Sequence, residues 1–258
     1  SMILNRLGIL LLSILLISSC THSSERSGLL IAAAANVQFT MDELVATFEG
    51  QTGIQCETII NSSGKITAQV MAGAPYDVFI SADLKYPNTL KEKELTAKGP
   101  DVYAEGKLVL WTVDTSLTPQ VGILKNASIQ KIAMASPRTA PYGKAAEECL
   151  THYNILEGVT SKLVYGESIS QTNQFILSGA APVGFTALSV VRSPNLEGQG
   201  SWVLIPEEAY SPIKQGMVIL TSSSKKEEAE AFYDFMLSDE AQSILRKYGY
   251  GIPETAGQ

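Results

Sequence analysis

Past residue 28 the apolar positions alternate between two spacings. Residues 29–33 form a continuous apolar run of strand length. Val37, Met41, Leu44, Val45 and Phe48 then recur at helical spacing, with Gly50 and Gly53 as stops. The succession repeats: residues 54–60 read as a strand, Ser62 and Ser63 as helix caps, and Ile66, Val70 and Met71 as one helical face ended by Gly73 and Pro75. Residues 77–81 are a third, buried strand, and a charged helix follows over 84–94. A strand–helix–strand–helix–strand succession specifies a parallel sheet with right-handed crossovers, because a parallel partner is reached only by a connection long enough to carry a helix.

A second pattern of the same kind follows. Residues 107–113 read as a strand leading away from the first unit, and 132–135 as another, with a loop over 136–143 and a helix over 144–153. Residues 162–165 are a strand, Gly166-Glu167-Ser168 lead into a helix to about Leu177, and 183–186 and 202–205 are further strands. A strand over 217–221 and two amphipathic helices, 225–237 and 239–247, close the chain. The middle segment is thus an α/β unit inserted between two portions of the first. The expected fold is α/β and two-lobed, each lobe a mostly parallel sheet flanked by helices: residues 29–105 plus 214–258 in one lobe, 106–213 in the other. Ligands of open α/β sheets bind at the carboxyl ends of the strands, so two facing lobes form a cleft that closes about a hinge.

The amino terminus carries a targeting pattern. Arg6 precedes an uncharged apolar run, residues 7–17, too short to span a bilayer. Ile17-Ser18-Ser19-Cys20 is similar to a bacterial lipobox, which makes residues 1–20 a lipoprotein signal segment ending at a lipidated Cys20, and 21–28 a tether. An ordinary secretory signal with an incidental Cys20 is the alternative. Lys and Arg total 19 against 26 Asp and Glu, a net charge of −7, and the leader contains only Arg6 among charged residues. Such a chain is a poor partner for nucleic acid or an anionic membrane surface, and any anion it binds must be held by local dipoles. Cys56 and Cys149 fall in different expected lobes, so no disulfide is expected. No Cys/His spacing resembles a zinc site, so direct metal-ion ligation is not expected either.

Candidate chemistry sits where strands hand over to helices. Ala35-Asn36, Ser62-Ser63, Pro141-Tyr142-Gly143 and Glu167-Ser168-Ile169 each open a helix. A helix N-terminus presents unpaired N–H groups and the positive end of the macrodipole, a ready anion site. The same residues also serve as plain caps, Asn36 and Ser168 above all. Ser62-x-x-Lys65 matches the nucleophile signature of penicillin-recognising enzymes, but its Ser-Asp-Asn and Lys-Thr-Gly partners do not occur. Lys65 and Arg138 read as solvated or paired cations. Asp77 and Asp83 flank the third strand, and Trp111 and Trp202 show no stacking pattern.

The run from Gly73 to Asp83 (Gly-Ala-Pro-Tyr-Asp-Val-Phe-Ile-Ser-Ala-Asp), with Ala32-Ala33-Ala34-Ala35-Asn36 and Ser62-Ser63-Gly64-Lys65, resembles the periplasmic molybdate-binding proteins of ABC transporters, a resemblance that covers residues 29–250. It implies an extracytoplasmic, monomeric binding protein, not an enzyme and without a cofactor. Such a protein captures molybdate or tungstate between its lobes and hands it to an ABC permease with its ATPase. It assigns the anion to Asn36, to Ser63 through both hydroxyl and N–H, and to the N–H groups of Tyr142 and Ile169, with Ala35 and Ser62 as further candidates. It gives Asp77 and Asp83 a structural role. Some members donate a tyrosine hydroxyl from a Gly-x-x-Tyr segment; here Gly184-Phe185-Thr186-Ala187 puts Ala187 in that place, and the Asn36 amide is expected to supply the donor instead. Molybdate at neutral pH is a dianion whose oxygens only accept, so a site made of donors suits it and leaves the proton of hydrogen phosphate unpaired. Three alternatives remain: a receptor for another tetrahedral oxyanion, chiefly sulfate; a secreted serine hydrolase using Ser62 and Lys65; and a lipid-anchored binding module without a transport role.

Overall fold

The computed structural model describes residues 28–254; the leader, Cys20 and residues 21–27 of the tether lie outside the described residues. Two five-stranded sheets carry the fold. The first contains β1 (Leu29–Ala34), β2 (Cys56–Asn61), β3 (Val78–Ile80), β4 (Thr96–Gly106) and β10 (Ile213–Leu220), in the order β2-β1-β3-β10-β4. The second contains β5 (Leu108–Thr112), β6 (Ile132–Ala135), β7 (Leu163–Gly166), β8 (Val183–Ala187) and β9 (Ser201–Leu204), in the order β7-β6-β8-β5-β9. In the first sheet β1 pairs parallel with β2 and β3, while β10 is antiparallel to both β3 and β4. In the second, β6 pairs parallel with β7 and β8, while β5 is antiparallel to β8 and β9. Each sheet therefore has one reversed strand in fourth place. In both lobes that strand is the first laid down after the chain crosses over.

Helices cover both faces of the first sheet because neighbouring strand residues point to opposite sides. Leu29, Ile31, Ala33, Val78 and Ile80 pack against Met41, Leu44 and Phe48 of α1 (Gln38–Thr52) and against Phe232, Tyr233 and Met236 of α8 (Lys226–Met236). Phe48 meets Phe232 edge to face at 5.2 Å, worth about 0.5–1.5 kcal/mol beyond area burial. The interleaved Leu30, Ala32 and Phe79 face Ile66 and Val70 of α2 (Ser63–Met71) and Leu90 of α3 (Lys85–Glu92). The second core surrounds β6 with Ala145, Ala146 and Cys149 of α4 (Pro141–His152) and Ile176 of α6 (Ile169–Leu177), the short α5 (Leu156–Val159) adding Val159. Ala34, Ala35 and Ala82 belong to this second core, so the carboxyl ends of β1 and β3 abut the other lobe. Two short helical elements complete the chain order, α7 (Leu188–Val191) and the C-terminal α9 (Asp239–Lys247).

Several elements differ from the sequence pattern. The eleven-residue β4 was not foreseen. Gly99 and Pro100 are residues disfavoured in strands, yet β4 is an edge strand beside β10, where proline is tolerated, and its Glu105 also bridges to Gly251. Helix α4 starts at Pro141 rather than 144, since proline in the first turn forfeits only an N–H that no helical carbonyl would accept. Helix α1 runs through Gly50 and stops at Gly53, which holds the left-handed conformation (φ 71°) of a helix C-cap. Strand β10 begins at Ile213, four residues ahead of the apolar run over 217–221.

Candidate functional site

Four helix starts converge at the carboxyl ends of four strands. After β1 a 3-10 turn, Ala35–Val37, feeds α1; α2 begins two residues after β2, α4 follows β6, and α6 follows β7. Bonds between the lobes hold these starts together. Gln38 at the start of α1 accepts from the Ser170 hydroxyl of α6 at 2.9 Å. The Gly64 N–H of α2 donates to the Thr139 carbonyl ahead of α4 at 2.9 Å, and Lys65 pairs with Glu167 ahead of α6. Ala35, Asn36, Ser62, Ser63, Tyr142 and Ile169 thus fall in one region, and each is at most 4% exposed. Gly143 lets α4 begin there: a Cβ on it would lie 2.1 Å from the Ala135 carbonyl oxygen at the end of β6.

The region is rich in donors. The N–H groups of Asn36, Ser63, Tyr142 and Ile169 lie in first turns, where no helical carbonyl reaches them, and they donate to no other group among the described residues. The Ser63 oxygen accepts the Ala82 N–H at 3.0 Å, which leaves its hydrogen available to a further acceptor. Ser62 caps α2, accepting from the Lys65 N–H at 3.3 Å, and Ser168 caps α6, accepting from the Gln171 N–H at 3.2 Å.

The Asn36 side chain departs from expectation. Its amide donates to Gln215 Oε1 at 2.8 Å and to the Tyr250 hydroxyl at 2.9 Å, with the Tyr142 hydroxyl at 3.4 Å. The orientation follows from the bonds behind it. Tyr103 spends its only hydrogen on the Ser81 carbonyl at 2.8 Å, so its oxygen must accept from Gln215 Nε2 at 2.7 Å. That turns Gln215 Oε1 towards Asn36 and towards the Tyr142 hydroxyl, which donates to it at 2.8 Å. The Asn36 amide hydrogens are therefore committed, and the carbonyl Oδ1 is the atom left without a partner. In this arrangement the Asn36 side-chain amide donates within the frame, and its backbone N–H is the donor without a partner among the described residues. On the other side the Ser189 hydroxyl donates to the Asn36 carbonyl at 2.7 Å. Burial pushes the phenols of Tyr103, Tyr142 and Tyr250 above their ordinary range, so all three stay neutral donors. This network joins both lobes and both crossings. Gln215, Tyr103, Tyr250 and Ser189 carry no local sequence signal, because their partners lie 22 to 214 residues away.

Charged groups are elsewhere engaged. The Lys65 amine pairs with Glu167, while its backbone N–H, not its amine, donates to the Ser62 hydroxyl. Arg138 is exposed, and its carbonyl accepts from the Tyr86 hydroxyl at 3.0 Å. Asp77 accepts from the Leu30 N–H and the Ser223 hydroxyl, both at 2.7 Å, tying β1 to the turn after β10. Asp83 accepts from the Tyr86 N–H at 3.2 Å; burial raises its pKa, against the hydrogen bonds of Tyr86 and Ser81 and the charges of Lys85 and Lys144. Among the described residues no group of three His, Cys, Asp or Glu is placed to hold a metal ion. Cys56 and Cys149 are free thiols, one on β2 and one on α4. Trp111 is buried, donating to the Gln199 carbonyl at 2.8 Å.

Comparison with known proteins places this architecture. The family model for bacterial extracellular solute-binding proteins matches residues 29–251. The molybdate-binding protein ModA of Rhodobacter capsulatus is 40% identical over 220 residues, covering 85% of this chain and 86% of that one. ModA of Azotobacter vinelandii is 37% identical over 225 residues, covering 86% and 89%. The solved periplasmic molybdate-binding protein of Azotobacter vinelandii superposes with a TM-score of 0.84 at 36% identity, covering 88% of this chain and all of that one. The chain belongs to the bacterial extracellular solute-binding protein family, in the company of its molybdate-binding members.

Proposed function

We propose that the protein captures molybdate, and tungstate with it, between its two lobes outside the cytoplasmic membrane and delivers it to an ABC permease driven by its ATPase. One observation carries the reading: helix starts from both lobes bring four unspent backbone N–H groups, at Asn36, Ser63, Tyr142 and Ile169, together with a Ser63 hydroxyl free to donate. A fully deprotonated tetrahedral dianion needs such donors and no proton acceptor. Helix dipoles supply the field that the net charge of −7 does not. Ala35 and Ser62 line the same turns, Ser62 chiefly as a cap. The protein acts as a monomeric receptor rather than an enzyme, anchored by lipid on Cys20.

Isothermal calorimetry of the mature domain with molybdate, tungstate, sulfate and phosphate tests the reading. Molybdate and tungstate bind far more tightly than the other two. Sulfate within tenfold of molybdate, about 1.4 kcal/mol, overturns it in favour of a sulfate receptor.

A further inference from the structure

The lobes also touch each other directly beside the proposed anion site. Gly64, the second residue of α2, donates its N–H to the Thr139 carbonyl across the cleft at 2.9 Å. The Tyr86 hydroxyl donates to the Arg138 carbonyl at 3.0 Å, and Lys65 pairs with Glu167, whose carbonyl lies 3.5 Å from the Thr139 hydroxyl. None of these groups is assigned to the anion.

Glycine at position 64 needs an explanation. Glycine loses more backbone freedom on ordering than alanine does, and Gly64 is not among the glycines at positive φ. What glycine supplies is room. A Cβ there would lie 2.9 Å from Thr139 Cα, 3.0 Å from Thr139 O and 2.8 Å from the Tyr86 hydroxyl. Two of those three atoms belong to the backbone of the other lobe, which cannot swing aside as a side chain can.

We propose that Gly64, Tyr86, Thr139 and the Lys65–Glu167 pair form a clasp that locks the closed cleft, with Gly64 as the positioning residue that sets how long the anion stays bound. This rests on the reading of the cleft as an oxyanion site. The clasp contacts span the two lobes, so they exist only when the lobes are together, and weakening them lowers the population of the closed form. Apparent affinity falls in proportion, and the change is read in release rather than in capture.

The test follows release of bound molybdate by rapid mixing with excess tungstate, and lobe closure by small-angle X-ray scattering with and without molybdate. Gly64→Ala is made in a Tyr86→Phe background, because removing the phenol oxygen leaves Thr139, across the cleft, as the obstruction. Release is then about tenfold faster than in Tyr86→Phe alone, association changes less than twofold, and the melting temperature without anion is unaltered. Lys65→Glu and Glu167→Lys each speed release about two- to fivefold, in the range of an exposed ion pair, and the double swap restores it. If the alanine variant does not fold, the charge swap alone decides. Wild-type protein that binds and closes, with variants that release no faster, overturns the clasp. Wild-type protein that binds no oxyanion overturns instead the reading of the site.

Discussion

Ser63→Ala separates the two jobs of one hydroxyl. Its oxygen accepts the Ala82 N–H at 3.0 Å in a site with no solvent exposure, and its hydrogen is the part available to the anion. Removing it strands a buried donor, which costs about 1–3 kcal/mol of folding stability. For a protein of this size that lowers the melting temperature by roughly 2–12 °C. It also deletes one charge-assisted hydrogen bond, worth about 1.5–3 kcal/mol, or roughly ten- to hundredfold in affinity. Lys65→Ala removes only an exposed ion pair to Glu167, and Arg138→Ala a side chain exposed to solvent, each worth about 1 kcal/mol or less. Calorimetric titration gives the affinities and scanning calorimetry of the anion-free protein gives the stabilities. The order Ser63→Ala ≫ Lys65→Ala ≈ Arg138→Ala in lost affinity is the expected result. The reverse order means a salt-bridge site and refutes the assignment to helix starts. A lower melting temperature with unchanged affinity means that the hydroxyl serves only Ala82.

The remaining predictions concern the frame and the ends. Gln215→Leu leaves the Asn36 amide and the Tyr142 and Tyr103 hydroxyls short of buried partners; the melting temperature drops, and a variant as stable as wild type refutes the oriented network. Burial pushes the Cys56 and Cys149 thiols up to about 12, the Glu49 charge adding for Cys56, from an ordinary value near 9. Because the folded state then holds protons the unfolded state has lost, stability is intact below about pH 9 and declines as pH rises towards 12; chemical denaturation across this window shows a shallower decline for Cys149→Ala. Mass spectrometry of membrane-extracted protein expressed in a bacterium finds diacylglycerol on Cys20, and a soluble product with its N-terminus elsewhere removes the lipid anchor from the scheme.

Much of the fold was legible because it is written locally. Alternating strand-length runs and helical stripes mark β1, α1, β2 and α2, and Ser62 and Ser168 cap the helices that their sequence positions suggest. The edge strand β4 was not legible, since its pairing with β10 is decided some hundred residues downstream and its own Gly99 and Pro100 are residues disfavoured in strands. The turns around the site were legible for the same local reason: each is a short polar segment between an apolar strand and a helix. The commitment of the Asn36 amide was not. It follows from a chain of hydrogen bonds in which Asn36 donates to Gln215, Gln215 to Tyr103 and Tyr103 to the Ser81 carbonyl, and whose members meet only after both crossings are made.

The position of β10 dictates an order of assembly. All five strands of the second sheet lie in one continuous stretch, residues 108–204, whereas the first sheet receives its fourth strand only when residues 213–220 arrive. Until then β3 ends in an open edge and β4, emerging from synthesis long before its neighbour, has nothing to pair with. The lobe made first is therefore completed last, and the later lobe matures while tethered to an unfinished partner. Any truncation that removes β10 leaves the first sheet split into two pieces, with both raw edges exposed to other chains.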